Sequence, residues 1–178
     1  MVGRIPAAPP LLVFTSWWQE SDKGKSVRRD AELSFDQDGG CSIFLDRDRS
    51  KVYRLSHVVG KYGPVEAVDL FVGARLHVLG RDLTLRQANL ETVTWLAAEA
   101  ARLDAIEAGL LFELAKYGDN VRSLPSGKRV CGFDGGRQRP DQFREKQNGA
   151  SLRNKVRDIE FLQGRIREVR LTLDHGHV

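Results

Sequence analysis

The sequence predicts an α+β chain with its strands first and its helices last, and three observations predict it. Apolar residues alternate at Leu76, Val78, Leu83 and Leu85 around Gly80-Arg81-Asp82, the pattern of a hairpin with one buried face. Near Ala88 the apolar period changes from two to between three and four, as a helix requires. A stretch poor in large apolar residues then separates that helix from a second one of the same period.

Residues 1–12 read as an extended arm, because Pro6, Pro9 and Pro10 break their short apolar stretch and leave no continuous secretory-type segment. No stretch of the chain approaches the roughly 18 apolar residues of a membrane span, so no membrane partner is expected. Residues 13–118 form the expected β domain with its C-terminal helix. Val13-Phe-Thr-Ser-Trp-Trp18 is an aromatic strand that points Trp17 and Trp18 to opposite faces, one toward the core and one toward a neighbour or solvent. Arg28-Arg29, Leu33 and Phe35 belong to a second strand that turns at Asp38-Gly39-Gly40. Cys41 to Leu45 and Lys51 to Leu55 are further strands.

Asn89 is placed to cap the long helix, and Val93, Leu96, Leu103, Ile106, Leu110 and Leu114 share one side of it up to Tyr117. Gly118 offers the left-handed residue that ends many helices. At 1.5 Å per residue the helix is roughly 40 Å long, so part of its stripe needs a partner beyond a small β domain. Residues 119–150 read as an irregular connector. Residues 151–178 read as an amphipathic tail helix capped by Ser151, with Leu152, Val156, Ile159, Leu162, Ile166, Val169 and Leu173 on one strip and five arginines on much of the rest. That strip suits a short coiled coil or a hydrophobic groove, and Gly164 makes the helix firm only when it is packed or bound.

From Val13 onward these features, including Asp69-Leu-Phe-Val-Gly73 and the hairpin that follows it, resemble the DM-ten domain, a small β module of ciliary doublet-microtubule proteins and of a flagellar nucleoside-diphosphate-kinase-like protein. The resemblance covers about half the chain and rests on apolar and turn residues. It implies a small antiparallel β barrel or sandwich of pleckstrin-homology-like character. It also implies a non-enzymatic structural protein of the ciliary or flagellar axoneme, a microtubule inner protein bound to tubulin and to neighbouring proteins of the doublet wall.

Net charge is +4, but ten Lys or Arg face only three acids between Val121 and Arg157, which puts +7 there and about −3 on the remainder. The expected protein-binding residues therefore lie in the connector, at Lys128, Arg129, Phe133, Arg137, Arg139, Phe143, Arg144 and Lys146, and on the tail helix, at Ile159 and Ile166. A basic connector with interleaved phenylalanines also fits a nucleic-acid binder. The family's fusion to a kinase-like domain leaves a regulatory module of a nucleotide enzyme as a further alternative.

No catalytic, cofactor or metal residue is expected from the sequence. Ser126-Gly127-Lys128 resembles the end of a phosphate-binding loop, but Arg122 stands where its first glycine belongs and Arg129 where its Ser or Thr belongs. Asp36, Asp38, Asp46 and Asp48 lack the bidentate Glu of a calcium loop, since Arg47 holds that position, and they read as turn residues. His175 and His177 lack a rigid third ligand, His77 has no adjacent nucleophile, and no catalytic role is expected of His57 or His77. Cys41 and Cys131 are expected to be free thiols.

Overall fold

The computed structural model describes residues 11–22, 24–36, 40–46, 48–119, 121–130 and 152–175. Their strands are β1 (Leu11–Asp22), β2 (Lys25–Asp36), β3 (Cys41–Leu45), β4 (Asp48–Leu55), β5 (Val59–Gly60), β6 (Gly63–Pro64), β7 (Arg75–Val78), β8 (Arg81–Thr84) and β9 (Gln87–Ala88). Two helices follow, α1 (Leu90–Lys116) and α2 (Leu152–His175). The fold is α+β, with two antiparallel sheets and two helices. One sheet has the order β4-β3-β2-β1-β9 and the other β6-β5-β7-β8, and neither closes on itself among the described residues. The chain divides into two compact units, Met1–Ala98 and Glu99–Val178. The division falls inside α1.

In the first unit β1 and β2 pair along their whole length, from Leu11 opposite Asp36 to Asp22 opposite Lys25. The strand thus begins at Leu11, inside the expected arm. Alternation sends Leu12, Phe14 and Ser16 of β1 inward, where they meet Ala31, Leu33 and Phe35 of β2 and Cys41 and Ile43 of β3. Leu76 and Val78 of β7, Leu83 of β8 and Leu85 bring the second sheet to the same core. Phe14 and Phe35 touch edge to face with ring centres 6.1 Å apart.

The turns are built by particular residues. After β2, Asp36 accepts the Gly40 N–H at 2.7 Å, and a side chain at Gly40 would come within 2.5 Å of the Asp36 carboxylate and displace it. The β7–β8 reversal sits at Leu79-Gly80, not at Gly80-Arg81-Asp82. Val78 pairs with Arg81, and the two turn residues have φ of +51° and +71°, the two-residue geometry whose twist matches flanking strands. Leu79 is an unusual occupant, since a leucine there has no local polar group to favour the left-handed conformation.

The stretch Asp69–Gly73 begins at the last residue of a short 3₁₀ turn, Ala67–Asp69. Asp69 accepts the Glu66 N–H, Leu70 is buried, and the Gly73 N–H donates to the carbonyl of Leu85, in the link between β8 and β9. Helix α1 starts as expected. Asn89 accepts the Thr92 N–H at 2.9 Å, and the buried Thr92 hydroxyl accepts the Val13 N–H at 2.9 Å, which ties the first turn to β1. Trp95 and Leu96 then pack on the first core.

In the second unit Leu114, Leu124, Leu162 and Ile166 form a separate core, flanked by Leu110, Leu111, Val121, Val130 and Val169. Helix α1 ends at Lys116, and Gly118, with φ +74°, turns the chain so that the Asp119 N–H bonds the Leu114 carbonyl. Residues 121–130 differ from the expected irregular connector. They make a compact reversal in which Ser123 pairs with Arg129, Leu124 and Lys128 are joined by a backbone bond of 2.9 Å, and Leu124 is buried. An apolar residue every few positions (Val121, Leu124, Val130) is what lets this basic segment fold.

Candidate functional site

The sequence-predicted binding residues separate into three groups. Phe133, Arg137, Arg139, Phe143, Arg144 and Lys146 lie outside the described residues, as do Cys131 and Ser151. Ile159 and Ile166 are 7% and 6% exposed, because the apolar strip of α2 turns toward the unit's own helix and reversal and away from an outside groove. The packed alternative is the one realised, and the two isoleucines are core residues here. Lys128 and Arg129 are both at the surface, yet only Arg129 is available to a partner. The Lys128 ammonium donates to Glu107 of α1 at 2.7 Å, and Glu107 is only 4% exposed. The lysine therefore neutralises a buried carboxylate of its own chain.

The same inward use of charge recurs through this unit. Asp158, on α2 and 2% exposed, accepts the Ser126 N–H at 2.9 Å and the Ser126 hydroxyl at 2.5 Å. Lys155 donates to Asp104, Arg165 to Asp119 at 2.7 Å, and Arg170 to Glu113. Hydrogen bonding to Asp119, with its charge, holds Arg165 more firmly protonated, and Glu113 does the same for Arg170. The donors of the Ser126-Gly127-Lys128 stretch, which a phosphate loop would aim at a nucleotide, are thus spent on protein acceptors: the Ser126 N–H on Asp158, the Gly127 N–H on Leu124 and the Lys128 ammonium on Glu107.

On the first unit a surface emerges that sequence reasoning saw only in part. The outward residues of β1, β2 and β3 floor a shallow groove of about 510 Å³ in which Trp17 and Phe44 lie among Arg28, Glu32 and Arg86. Two guanidiniums stack on the Trp17 ring, Arg86 at 4.0 Å and Arg28 at 4.9 Å from its centre. Arg28 also holds Asp30 at 2.8 Å. Trp18, on the opposite face, joins the core, and its buried indole N–H has no hydrogen-bond partner among the described residues. The split of the two tryptophans follows from strand alternation. What covers Trp17 did not, since Arg86 is distant in sequence and reaches it only because β9 pairs with β1.

A second hollow, of about 400 Å³, opens between Trp18, Leu45 and Tyr53, rimmed by Glu20, Arg29 and Lys51. Arg29 binds Asp46 at 2.7 Å and Glu20 at 3.2 Å, and Arg81 binds Glu20 at 2.6 Å, so this rim is a closed network of surface ion pairs. Of the four aspartates of the calcium pattern Asp38 lies outside the described residues, Asp36 bonds Gly40, Asp48 bonds Ser50, and Asp46 holds Arg29 of the neighbouring strand. Hydrogen bonds from the Ser50 hydroxyl and N–H hold the Asp48 carboxyl below its ordinary range. His77 faces outward and meets Asp82 at 3.0 Å. Cys41 is a buried free thiol, and burial pushes it up to about 12. Among the described residues no group of His, Cys, Asp and Glu is placed to hold a metal ion, and no helix is long and apolar enough to cross a membrane. No protein-family model matches the chain, and no curated protein matches it either.

Proposed function

We propose that the chain is a non-enzymatic structural module of the ciliary or flagellar axoneme, a microtubule inner protein that binds tubulin and neighbouring proteins of the doublet wall. Its first unit is read, by the resemblance to DM-ten domains, as a pleckstrin-homology-like module. The observation that carries the reading is the Trp17 surface. Tryptophan and arginine are the residue types that dominate contact energies between proteins, and Arg86 stacks on Trp17 with its guanidinium 4.0 Å from the ring centre, a cation suited to an acidic group. An acidic lattice offers such groups. The signature Asp69–Gly73 spends its polar groups on turns, as a structural signature does.

The nucleic-acid alternative needs the cations of the basic segment for phosphates, and Lys128 and Lys155 are already paired with Glu107 and Asp104. Co-sedimentation of the purified chain with doublet microtubules, set beside titration with single-stranded RNA and DNA over a range of salt, separates the readings. Retention on doublets that weakens about ten-fold or more on Trp17→Ala is the expected result. Indifference to microtubules together with salt-steep binding of nucleic acid would sink the proposal.

A further inference from the structure

Ser126 occupies the tip of a tight reversal. The Gly127 N–H bonds the Leu124 carbonyl at 2.8 Å, and Gly127 has φ +83°, so the chain doubles back and presents Ser126 at the surface. Both donors of this serine go to the carboxylate of Asp158, and two residues on Lys128 goes to Glu107. These two acids are the buried charged residues among those described, one on each helix of the unit. A stretch of three residues therefore compensates both, and α2 is held to the reversal by polar contacts at Asp158 as well as by Leu162 and Ile166 packing near Leu124. Around the exposed serine the chain is cationic, with Arg122 four residues before it and Lys128 and Arg129 two and three after.

We propose that Ser126 is a phosphorylation site and that its phosphate releases α2 from the reversal. The enzyme is a protein kinase that selects basic residues on the carboxyl side of serine. The Ser126 Oγ attacks the γ-phosphorus of ATP, an O–P bond forms as the bond to the bridging oxygen breaks, ADP leaves, and the hydroxyl proton passes to the kinase's base. The product loses the donor that now bonds Asp158 at 2.5 Å and gains about −1.5 to −2 charges in its place. Two anions at that separation, one of them only 2% exposed, repel strongly. The phosphate swings out toward the exposed Arg122 and Arg129, the Ser126 N–H leaves with it, and Asp158 stays behind as a buried carboxylate without its donors. Helix α2 relieves this by parting from the reversal, which uncovers Leu162 and Ile166.

The test uses the full chain, ATP and the catalytic domain of a kinase with that selectivity, with the phosphate located by mass spectrometry and hydrogen exchange followed along the chain. One phosphate on Ser126 is expected, with the amides of 121–130 and of the first half of α2 exchanging about ten-fold faster or more and those of β7 and β8 unchanged. Ser126→Asp, which needs no kinase, should speed the same amides. Adding Asp158→Asn should restore their protection, because an amide at 158 donates to the new carboxylate. Ser126→Ala should take no phosphate and show a smaller acceleration. Failure of the kinase to modify Ser126 in the folded chain would overturn the site. A Ser126 phosphate that leaves α2 exchange unchanged, or a double variant no better protected than Ser126→Asp, would overturn the latch.

Discussion

Among the described residues, the interior of the first unit contains no ionised group. Leu12, Phe14, Leu33, Phe35, Ile43, Leu76, Val78 and Leu83 fill it, and the buried polar residues are hydroxyls, Ser16, Ser34 and Thr92. The second unit buries Glu107 and Asp158 beside a small core of leucines and isoleucines, and binds both through its basic reversal. The difference comes from geometry. Two facing sheets bring two rows of alternating side chains to one space, whereas two helices and a reversal leave only narrow stripes to bury. A unit of the second kind makes up the deficit with charge pairs, which are directional and need every partner present. Such a unit also opens more readily to a single change of charge.

Spectroscopy can separate the two units, because all three tryptophans, Trp17, Trp18 and Trp95, belong to the first. The largest expected effect is Phe14→Ala. Removing a fully buried ring should destabilise the first unit by about 3–5 kcal/mol, read as an earlier tryptophan-fluorescence transition in urea while the α2 part of the 222 nm signal persists. If both signals shift together, the units unfold as one and the contrast is lost.

Alkaline pH should act on the first unit through Cys41. The Cys41 thiol is raised by burial from 9.0 to about 12, so between those values the folded chain keeps a proton that the unfolded chain has lost. Stability is therefore unaffected below pH 9 and falls as pH rises above it, by about 2 kcal/mol at pH 10.5. Cys41→Ala should lose less stability than the parent between pH 7.5 and 10.5. Equal losses would show that other groups drive the alkaline transition.

In the second unit Asp158→Ala removes the acceptor of two Ser126 donors and should cost about 1–3 kcal/mol, visible in the 222 nm transition and silent in tryptophan fluorescence. Lys128→Gln should cost less, about 1 kcal/mol, because that side chain is half exposed and water replaces part of what Glu107 loses. A variant that neutralises the whole basic segment is consequently not a clean probe of binding, and Arg129→Gln is a better one. The smallest effect on folding should come from Arg86→Ala, under about 1 kcal/mol for an exposed stacking contact, with weakened doublet association as its main consequence. Normal association of that variant would remove Arg86 from the contact surface.

Local rules were enough for most elements. The alternation of β1 and β7, the Asn89 cap, the Gly118 stop and the period of α2 each depend on neighbours within a few residues, and each was legible. The reversal at Leu79-Gly80 was misplaced by one residue because Leu79 gives no sign of a positive φ, which the pairing of Val78 with Arg81 imposes.

What the sequence by itself determined is which residues are apolar, where the period changes and where charge collects, since these are properties of the chain as written. Only the tertiary structure decided where that charge goes. Nothing local assigns Lys128 to Glu107, Asp158 to Ser126 or Arg86 to Trp17, because each partner lies 21 or more residues away and is chosen by how strands and helices pack. A cation surrounded by water and a cation neutralising a buried carboxylate are written with the same letter. Burial separates them, because a carboxylate removed from water must find a donor inside the protein, and burial is a property of the folded chain.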